Sequence, residues 1–470
     1  MIKHRKNIKK NKILLTVSFI SFLIIFSNNP AAIPKQRYAS IQEYDLLIIS
    51  PEKFINQLNE LQTHKEQVGV KTKIVSLSDV YDEMFWKGRD NPEKIKYFIK
   101  QAFDIWHIKY VLLIGDFKNL PIRYVNNQDI LQGFHEPKFI SELYYADIID
   151  SNGSFSTWDT DNDGIYGEWI DDGISHESED KYIDLYPDVY VGRLACQDIN
   201  ELQTSIKKII TYETNTHNKP WFNRIVVCAG DTYPESENPE WIGNEGEENT
   251  MHVLENMSNF EHIKLWTSDG SFTGVFDIIN AFEKGCGFAY FDGHANPYRW
   301  STHPPNDADT WIRGLSTLTM SLLHNKDKLP IVVVGGCHNL QLDVHLAKLF
   351  EDPWYYYTWI SECWGWKLTR KINGGSIATI GCAGLGMTKE DKFEGEGGAG
   401  DFLEPTFFYE YGVNKTDILG ETWGKTITRY LDKYPINWFT PAAWNDAIDV
   451  KTVQQWILLG DPSLKIGGYP

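Results

Sequence analysis

Two apolar segments of the chain each lead into a residue that can take part in covalent chemistry. His294 follows the run CGFAYFDG, and Cys337 follows the run PIVVVGG. In open α/β sheets, ligands bind beyond the carboxyl ends of the strands, so both side chains occupy positions suited to catalysis. A thiol attacks as its thiolate, and an imidazole can remove the thiol proton and later protonate the leaving amine. The two contexts therefore predict a cysteine nucleophile with a histidine base.

Two other interpretations of these residues stay open at the level of sequence. A free cysteine is commonly buried in a core, and a histidine can pack there too. A zinc site could also combine Cys337 with His303, His338 and His345. The spacing of those residues matches no metal-binding motif, and the chain has no CxxC pair. The matched positions after two apolar runs favour the catalytic interpretation.

Two series of apolar runs alternate with amphipathic stretches and would form the elements that position these residues. The first series is YDLLIIS, KTKIVSL and IKYVLLIGD, and the second is RIVVCAGD, HIKLWTS, GFAYFDG, PIVVVGG and GGSIATIG. Such alternation is typical of parallel sheets covered by helices. We therefore predict an α/β protein with two consecutive, mostly parallel α/β sheets.

The same pattern predicts how the chain is divided. An N-terminal α/β subdomain covers residues 42–216, with an Asp-rich loop insertion over residues 126–185. A catalytic subdomain covers residues 220–470. We expect a helix over residues 198–215 to link them, with Asp198 as its N-cap.

The beginning of the chain has the layout of an export signal. Six Lys or Arg residues among the first 12 precede an apolar run and a stretch of small residues, so residues 1–36 are predicted to be a signal peptide or an N-terminal anchor. The body would be secreted, and it would contact a membrane only if this segment stays uncleaved. Without those six charges the net charge falls from −19 to about −25, which argues against nucleic-acid binding. The six cysteines are widely spaced and do not indicate a disulfide scaffold.

The segment WDTDNDGIYGEW carries the spacing of a calcium-binding loop. Asp159, Asp161 and Asp163 alternate before Gly164, as in the first half of an EF-hand. The position at which an EF-hand closes with glutamate is Ile170, so we predict a different kind of calcium loop with Glu168 as a further ligand. The alternative is a turn rich in Asp and Asn.

Several motifs follow one another along the chain in an order that is informative when they are taken together. They are YPDVYVGRLACQDINEL over residues 186–202, VVCAGD ending on Asp231, GH at His294, GGC at Cys337, and LLGDPSL from Leu458. Together they resemble the gingipains, which are caspase-like cysteine peptidases, over roughly residues 44–466. The resemblance implies a caspase-like fold, polypeptide substrates and no organic cofactor.

The resemblance also implies roles for individual residues. Cys337 would be the nucleophile and His294 the general acid and base, with the backbone N–H groups of Cys337 and Ala295 as the oxyanion hole. Ala295 stands where the family usually has glycine, and alanine resists positive φ. Asp231 would orient the imidazole, and Asp292 is the alternative because it lies two residues before His294.

The resemblance to the arginine-specific gingipains further implies an acidic residue that recognises a basic substrate side chain. Glu245, Glu247 and Glu248 are the candidates in the acidic stretch before residue 249, although a solvated charged loop is the alternative. Trp300 is a candidate for the wall of the substrate cleft, with core packing as the alternative.

We therefore expect a secreted cysteine endopeptidase that acts through a Cys–His dyad and an acyl-enzyme. One alternative is a catalytically inactive, calcium-stabilised surface or binding protein on the same fold. The other is a metal-dependent hydrolase.

Overall fold

Ten of the chain's strands form one large sheet. They belong to a computed structural model that describes residues 43–127, 136, 138–169, 178–239, 241–345, 360–389, 398–440 and 445–470. Most of these strands are fully buried because helices cover the sheet, as expected for a mostly parallel sheet. The strands, in chain order, are β1 Leu46–Ser50, β2 Thr72–Ser76, β3 Tyr110–Ile114, β4 Tyr124–Val125, β5 Phe139–Ile140, β6 Tyr190–Leu194, β7 Arg224–Ala229, β8 Glu261–Trp266, β9 Phe288–Phe291, β10 His294–Ala295, β11 Arg299–Thr302, β12 Ile312–Ser316, β13 Ile331–Val334, β14 Ala378–Cys382, β15 Thr388–Lys389, β16 Gly398–Ala399 and β17 Trp456–Leu459.

The helices follow the amphipathic stretches between the strands. They are α1 Asn59–Gln67, α2 Leu77–Glu83, α3 Asn91–Trp106, α4 Ile199–Asn215, α5 Glu245–Asn256, α6 Val275–Lys284, α7 Trp364–Thr369, α8 Gly400–Gly412, α9 Leu419–Lys433 and α10 Asn445–Gln455. Short 3-10 helices cover Glu52–Leu58, Leu143–Tyr145, Pro220–Asn223 and Thr319–Leu322. The predicted linking helix is α4, and the Asp198 carboxylate caps it by accepting from the Asn200 and Glu201 amides.

The large sheet consists of two blocks of parallel strands, β2-β1-β3-β6 and β14-β13-β9-β7-β8, with β17 between them. Its strand order is β2-β1-β3-β6-β17-β14-β13-β9-β7-β8. β17 runs parallel to β6 but antiparallel to β14, so the two blocks run in opposite directions. The α/β class and the two series of parallel strands are confirmed, but the two series join edge to edge into one sheet.

Smaller sheets lie beside the large one. β10, β11 and β12 form an antiparallel sheet directly after β9, and β15 pairs with β16. β4, directly before the predicted Asp-rich insertion, forms an antiparallel pair with β5 inside it, and much of the described remainder of the insertion is irregular. The carboxyl ends of β9 and β13 therefore lead directly into the segments that carry His294 and Cys337.

A buried ion cluster ties the first block to the segment after β17. Lys65 Nζ lies 2.9 Å from Glu213 Oε1 and 2.7 Å from Asp461 Oδ2, and all three side chains are fully buried. Asp461 belongs to the LLGDPSL motif, and its Oδ1 accepts from the Ser463 amide. That aspartate therefore has a structural role.

The motif that precedes α4 is also explained by packing. Arg193 in β6 is fully buried, and its guanidinium donates to both carboxylate oxygens of Glu142 at 2.9 Å and to the carbonyls of Gly115 and Leu120. A buried charge of this kind is tolerated because it is paired and hydrogen-bonded. Arg193 therefore links the strand to the insertion.

Gln42–Pro470 form one compact unit. The predicted division into subdomains near residues 216–220 stays a prediction. The predicted signal peptide or anchor, residues 1–36, lies outside the described residues. Within the part of the chain that is described, no helix is both long enough and apolar enough to cross a bilayer.

Candidate active site

Cys337 and His294 meet in one cleft at the carboxyl ends of neighbouring strands. β9 and β13 pair in parallel register, with Phe291 opposite Val334, so the residues that follow them emerge at the same edge of the sheet. Both side chains line a single cleft together with Thr232, Tyr233 and Trp241. The structure thus places the two residues that were singled out in the sequence at one cleft.

The two turns that carry the dyad touch through their backbones. Gly336 has φ +97°, and a Cβ placed on it would lie 2.5 Å from the Ala295 nitrogen and 2.8 Å from the Gly293 oxygen. Only glycine fits this position, because a side chain there would push the turns apart and would be strained as well. The backbone amides predicted for the oxyanion hole, at Ala295 and Cys337, therefore lie on either side of this contact.

Ala295 fits its place in the structure. It forms part of β10, where it pairs with Trp300, and it is not among the residues with positive φ. The expected conflict between alanine and positive φ therefore does not arise. By contrast, His338, directly after Cys337, has φ +56°. Sparsely populated backbone conformations of this kind cluster at active sites.

The nucleophile turn is fixed by an asparagine that sequence reasoning missed. Asn339 is fully buried, and its Nδ2 donates to the carbonyls of Val334, Gly335 and Gly336 at 3.1–3.3 Å. Its Oδ1 accepts from the Cys382 amide in β14 at 3.1 Å. The side chain thus binds the turn to the neighbouring strand. An amide-bearing residue two positions after the cysteine was the available signal.

The imidazole of His294 is oriented by a backbone carbonyl. Its Nε2 lies 2.7 Å from the Thr232 oxygen, and the rings of Tyr233, His303 and Trp311 surround it at centroid distances of 5.4–5.8 Å. A hydrogen bond at one ring nitrogen fixes the tautomer and the ring orientation.

Neither predicted aspartate takes this place in the described residues. Asp231 Oδ2 accepts from the Asn306 amide at 2.6 Å, and Asp292 Oδ2 accepts from the Tyr290 hydroxyl at 2.6 Å. Asp231 lies directly before Thr232, so its buried carboxylate belongs to the segment that supplies the carbonyl. In the described residues, the hydrogen bond that orients the His294 ring comes from Thr232 and not, as predicted, from Asp231.

Burial keeps both members of the dyad uncharged. It raises the pKa of the Cys337 thiol to about 11, against a backbone hydrogen bond from Gly386 that lowers it. It also lowers the pKa of His294, which the Thr232 hydrogen bond opposes. The resting pair is therefore a thiol and a neutral imidazole, with the imidazole able to accept the thiol proton.

Four of the described acidic residues line the same cleft: Glu245, Asp292, Asp401 and Glu404. Burial raises the pKa of Asp292 to about 6 and that of Glu245 to about 7, and raises the pKa values of Asp401 and Glu404 well above their usual range. Glu404 Oε2 and Glu245 Oε1 are buried without a hydrogen-bond partner. Burial thus disfavours the ionisation of these acidic groups, and a cation bound among them would favour their charged form.

Three of the predicted substrate-binding residues lie elsewhere. Glu247 is buried, and its Oε1 accepts from the Ser268 amide at 2.9 Å. Glu248 is exposed and does not line the cleft. Trp300 is fully buried against Phe291, with ring centroids 5.2 Å apart, so its predicted position in the cleft wall is wrong. Glu245 is the one candidate from this group that reaches the cleft, because it lies at the start of α5.

The predicted calcium loop brings its three aspartates together. Oxygen atoms of Asp159, Asp161 and Asp163 lie within 4.8 Å of one another, and Asp159 also pairs with Arg89. Burial raises the pKa of Glu168 to about 7, and the charges of Asp163 and Asp180 add to this effect. Asp180, which sequence reasoning missed, is fully buried, and burial raises its pKa to about 7 as well. Crowded carboxylates of this kind fit a hard cation with oxygen ligands.

Known proteins resemble the chain in sequence and in structure. The model of peptidase family C25 matches residues 40–467. Gingipain R2 of Porphyromonas gingivalis is 21% identical over 313 residues, which cover 64% of this chain and 34% of the relative. Lys-gingipain W83 of Porphyromonas gingivalis is 24% identical over 234 residues, which cover 48% of this chain and 11% of the relative. The chain therefore spans about a third or less of the length of these relatives.

The fold of a solved cysteine proteinase matches as well. The crystal structure of the Arg-specific cysteine proteinase gingipain R superposes with a TM-score of 0.61 at 18% identity, covering 90% of this chain and 78% of that one. This likeness supports the caspase-like α/β fold predicted from the motifs. Because the family match extends over nearly all the described residues, the chain belongs to peptidase family C25.

Proposed function

We propose that the protein is a cysteine endopeptidase in which Cys337 is the nucleophile and His294 the general acid and base. The observation that carries this proposal is the meeting of the two side chains in one cleft at the ends of β9 and β13. Membership of family C25 supports the same reaction class.

The reaction follows from the neutral resting pair. His294 takes the proton of the Cys337 thiol while the sulfur forms a bond to the scissile carbonyl carbon. The tetrahedral intermediate collapses as the C–N bond breaks, and His294 gives the proton to the leaving amine. Water then attacks the thioester, His294 accepts its proton, and loss of the carboxylic acid regenerates the thiol with that proton.

Backbone amides would stabilise the oxyanion in both steps. Ala295 and Cys337 supply N–H groups from the two turns that meet at Gly336. Preorganised donors of this kind contribute roughly 10² to 10³ in rate. Their position depends on the close contact between the turns, which fixes both amides before substrate arrives.

The acidic lining of the cleft favours substrates with Lys or Arg before the scissile bond. The four carboxylates come from β9, α5 and α8 or from residues beside them, and two of them retain an oxygen without a partner. An ammonium or guanidinium group would pair with these oxygens in a desolvated site. The names of the relatives, Lys-gingipain and the Arg-specific gingipain R, describe the same kind of preference in those proteins.

Turnover of matched fluorogenic peptides tests both parts of the proposal. With Arg in the substrate and reducing conditions, Cys337→Ala should lower kcat/KM by more than about 10³-fold. The buried Cys363, which is distant in sequence from both turns, provides the control Cys363→Ala, which should retain activity. Equal turnover by wild type and Cys337→Ala would refute the peptidase mechanism. Replacing Arg by its neutral isostere citrulline should abolish most of the wild-type rate, and equal rates would refute the basic preference.

The proposal extends to a structural calcium ion held by Asp159, Asp161 and Asp163, with Glu168 and Asp180 as further oxygen ligands. The alternating aspartates and the crowding of carboxylates support it. The ion would brace the insertion and would take no part in peptide hydrolysis.

Export is the remaining part of the proposal, and its basis is the basic and apolar pattern of residues 1–36. Polypeptides outside the cell would then be the substrates. Expression of the full chain with N-terminal sequencing of the product tests this point. A mature N-terminus between residues 28 and 42 is expected, and an intact, intracellular product would contradict export.

A further inference from the structure

A peptide unit outside the two dyad turns also reaches the catalytic sulfur. The backbone of Gly386 acts on Cys337 so as to lower the pKa of the thiol, against the larger effect of burial. A Cβ placed on Gly386 would lie 3.1 Å from the Gly336 oxygen and 3.6 Å from the Cys337 nitrogen. The segment that contains Gly386 therefore packs directly on the nucleophile turn.

This peptide unit is held from behind by a buried amide. Gln455 Nε2 donates to the Leu385 carbonyl at 2.9 Å, and that carbonyl belongs to the same peptide unit as the Gly386 N–H. Gln455 is fully buried at the last position of α10. The backbone carbonyl of Gln455 accepts from the Ala383 amide at 2.8 Å, so its backbone is anchored to the same segment.

A carboxylate from the insertion accepts a hydrogen bond from the preceding amide of this segment. Glu136 Oε2 accepts from the Leu385 amide at 2.6 Å and lies 3.1 Å from Lys451 Nζ. Glu136 Oε1 lies 3.4 Å from His338 Nε2, beside the nucleophile. Glu136 precedes β5, so these contacts connect the N-terminal half of the chain to the catalytic turn.

We propose that Gln455 and Glu136 are positioning residues that fix the Leu385–Gly386 peptide so that its N–H stabilises the Cys337 thiolate as it forms. The proposal rests on the proposed function, because it concerns activation of the same thiol. A donor that is already aimed at the developing charge needs no reorganisation during the reaction. Without Gln455 the peptide unit could rotate, and the sulfur would lose this donor.

The pH dependence of Cys337 alkylation by iodoacetamide tests the proposal without any peptide turnover. Modification at Cys337 is followed by mass spectrometry of the full chain, since the other five cysteines are buried. The groups that act on the thiol electrostatically are Glu136, which raises its pKa, and Lys451, which lowers it. Tyr233 and Cys382 also interact with Cys337, and His294 lines the same cleft.

Two substitutions should shift the profile in opposite directions. Gln455→Leu removes the amide donor without changing charge, so the apparent pKa of the thiol should rise by about one unit, a value typical of one hydrogen bond to a charged group. Glu136→Gln keeps an oxygen acceptor for Leu385 but removes the negative charge, so the apparent pKa should fall. A general loosening of the fold would not give shifts of opposite sign.

Gln454→Leu is the matched control, because Gln454 is the adjacent residue of α10 and is also fully buried, but it faces Gly167. Its alkylation profile should equal that of wild type. An unchanged profile for Gln455→Leu, or equal shifts for both leucine variants, would overturn the proposal. If Gln455→Leu does not fold, Gln455→Asn, whose amide is one methylene too short, should give the same upward shift. Peptide hydrolysis retained by Cys337→Ala would refute the proposed function alone, since the alkylation profile does not depend on turnover.

Discussion

Burial disfavours the charged forms of both Cys337 and His294. The pKa of the thiol is raised to about 11 and the pKa of the imidazole is lowered, so an ion pair is not the resting state. In the proposed mechanism the thiolate would therefore form during attack, when proton transfer and bond formation can occur together. The amides of Ala295 and Cys337 and the Gly386 N–H would then stabilise the charge that this transfer creates.

The contact at Gly336 predicts a loss of activity that differs from a simple loss of stability. Gly336→Ala should lower kcat/KM by at least about 10²-fold, because the added Cβ would move the Ala295 amide away from the oxyanion. Turnover of the Arg peptide and urea unfolding measure the two effects. The control is Gly270→Ala, which also has positive φ but has no atom within 4 Å of its Cβ position. That variant should lose about 1 kcal/mol of stability and keep its activity. Full activity in Gly336→Ala would contradict the described contact.

Glu404→Gln should stabilise the protein at alkaline pH. The pKa of Glu404 is raised by burial, so the folded state holds its proton more tightly than the unfolded chain does. Its ionisation therefore destabilises the fold as pH rises above the unfolded value of about 4.3. Glutamine cannot ionise, so the variant should be more stable at pH 8 by about 1 kcal/mol or more and equal to wild type at pH 4. Thermal unfolding across this pH range measures the difference.

The same variant should bind basic substrates less well. We expect kcat/KM for Arg and Lys peptides to fall about 10-fold to 100-fold, because a charge-assisted bond is lost.

Glu410→Gln is the control for the gain in stability. Glu410 lies on the same helix and is buried, but it pairs with Arg429 at 2.6 Å. Its replacement should therefore not raise the stability at pH 8. A gain in stability in both variants would point to helix propensity rather than to the cleft.

At this scale the sequence was informative about the groups that react and less so about those that support them. Cys337 and His294 follow apolar runs, and reactive side chains of α/β proteins commonly lie just beyond the carboxyl ends of strands. Asp401 and Glu404 are far away in sequence and reach the cleft only through the packing of α8. Trp300 and Glu247 failed as predictions because residue type alone does not reveal the direction in which a side chain points.

At the scale of elements, the two parallel blocks depend on β17. This strand pairs with β6 in parallel and with β14 in antiparallel orientation. The segment that follows it is fixed by the ion pair between Asp461 and Lys65, which also binds Glu213 in α4. The joint between the blocks is thus supported by buried charges as well as by apolar packing.

Lys65→Met should destabilise the protein by about 3–5 kcal/mol, because two carboxylates would remain buried without their cation. The pKa of Glu213 is lowered in the folded state, so its contribution is present above the unfolded value of about 4.3 and is lost as pH falls. Urea unfolding at pH 7 and pH 4 should show the smaller difference at pH 4. Lys100→Met, which removes an exposed pair with Asp104, is the control and should cost less than about 1 kcal/mol.

The alternation of apolar and amphipathic segments was sufficient to predict eight of the ten strands of the large sheet and their parallel arrangement, but the two series leave out β6 and β17. It could not predict that both blocks join in one sheet. That arrangement depends on which edge β17 pairs with, and pairing between distant segments leaves no local signal. Asp198, in contrast, was predictable as an N-cap because capping depends only on the next three residues.

At the scale of the whole molecule, the calcium proposal predicts a stability that depends on metal. EGTA should lower the Tm of the purified protein, and added calcium should restore it, as expected for a ligand that binds only the folded state. Asp161→Asn combined with Asp163→Asn should abolish the response, whereas Asp82→Asn, at an exposed site in α2, should leave it intact. A Tm that is insensitive to EGTA in wild type would contradict the proposed ion.

The position of β17 also bears on how the protein is made. It follows every other described strand along the chain, yet it occupies an inner position of the sheet, between β6 and β14. A ribosome therefore synthesises both blocks before the strand that joins them exists, and pairing between such distant segments forms slowly. Gln455, which holds the peptide beside the catalytic sulfur, directly precedes that strand. Under the proposed mechanism, the thiol of Cys337 would be fully activated only after synthesis has passed this point.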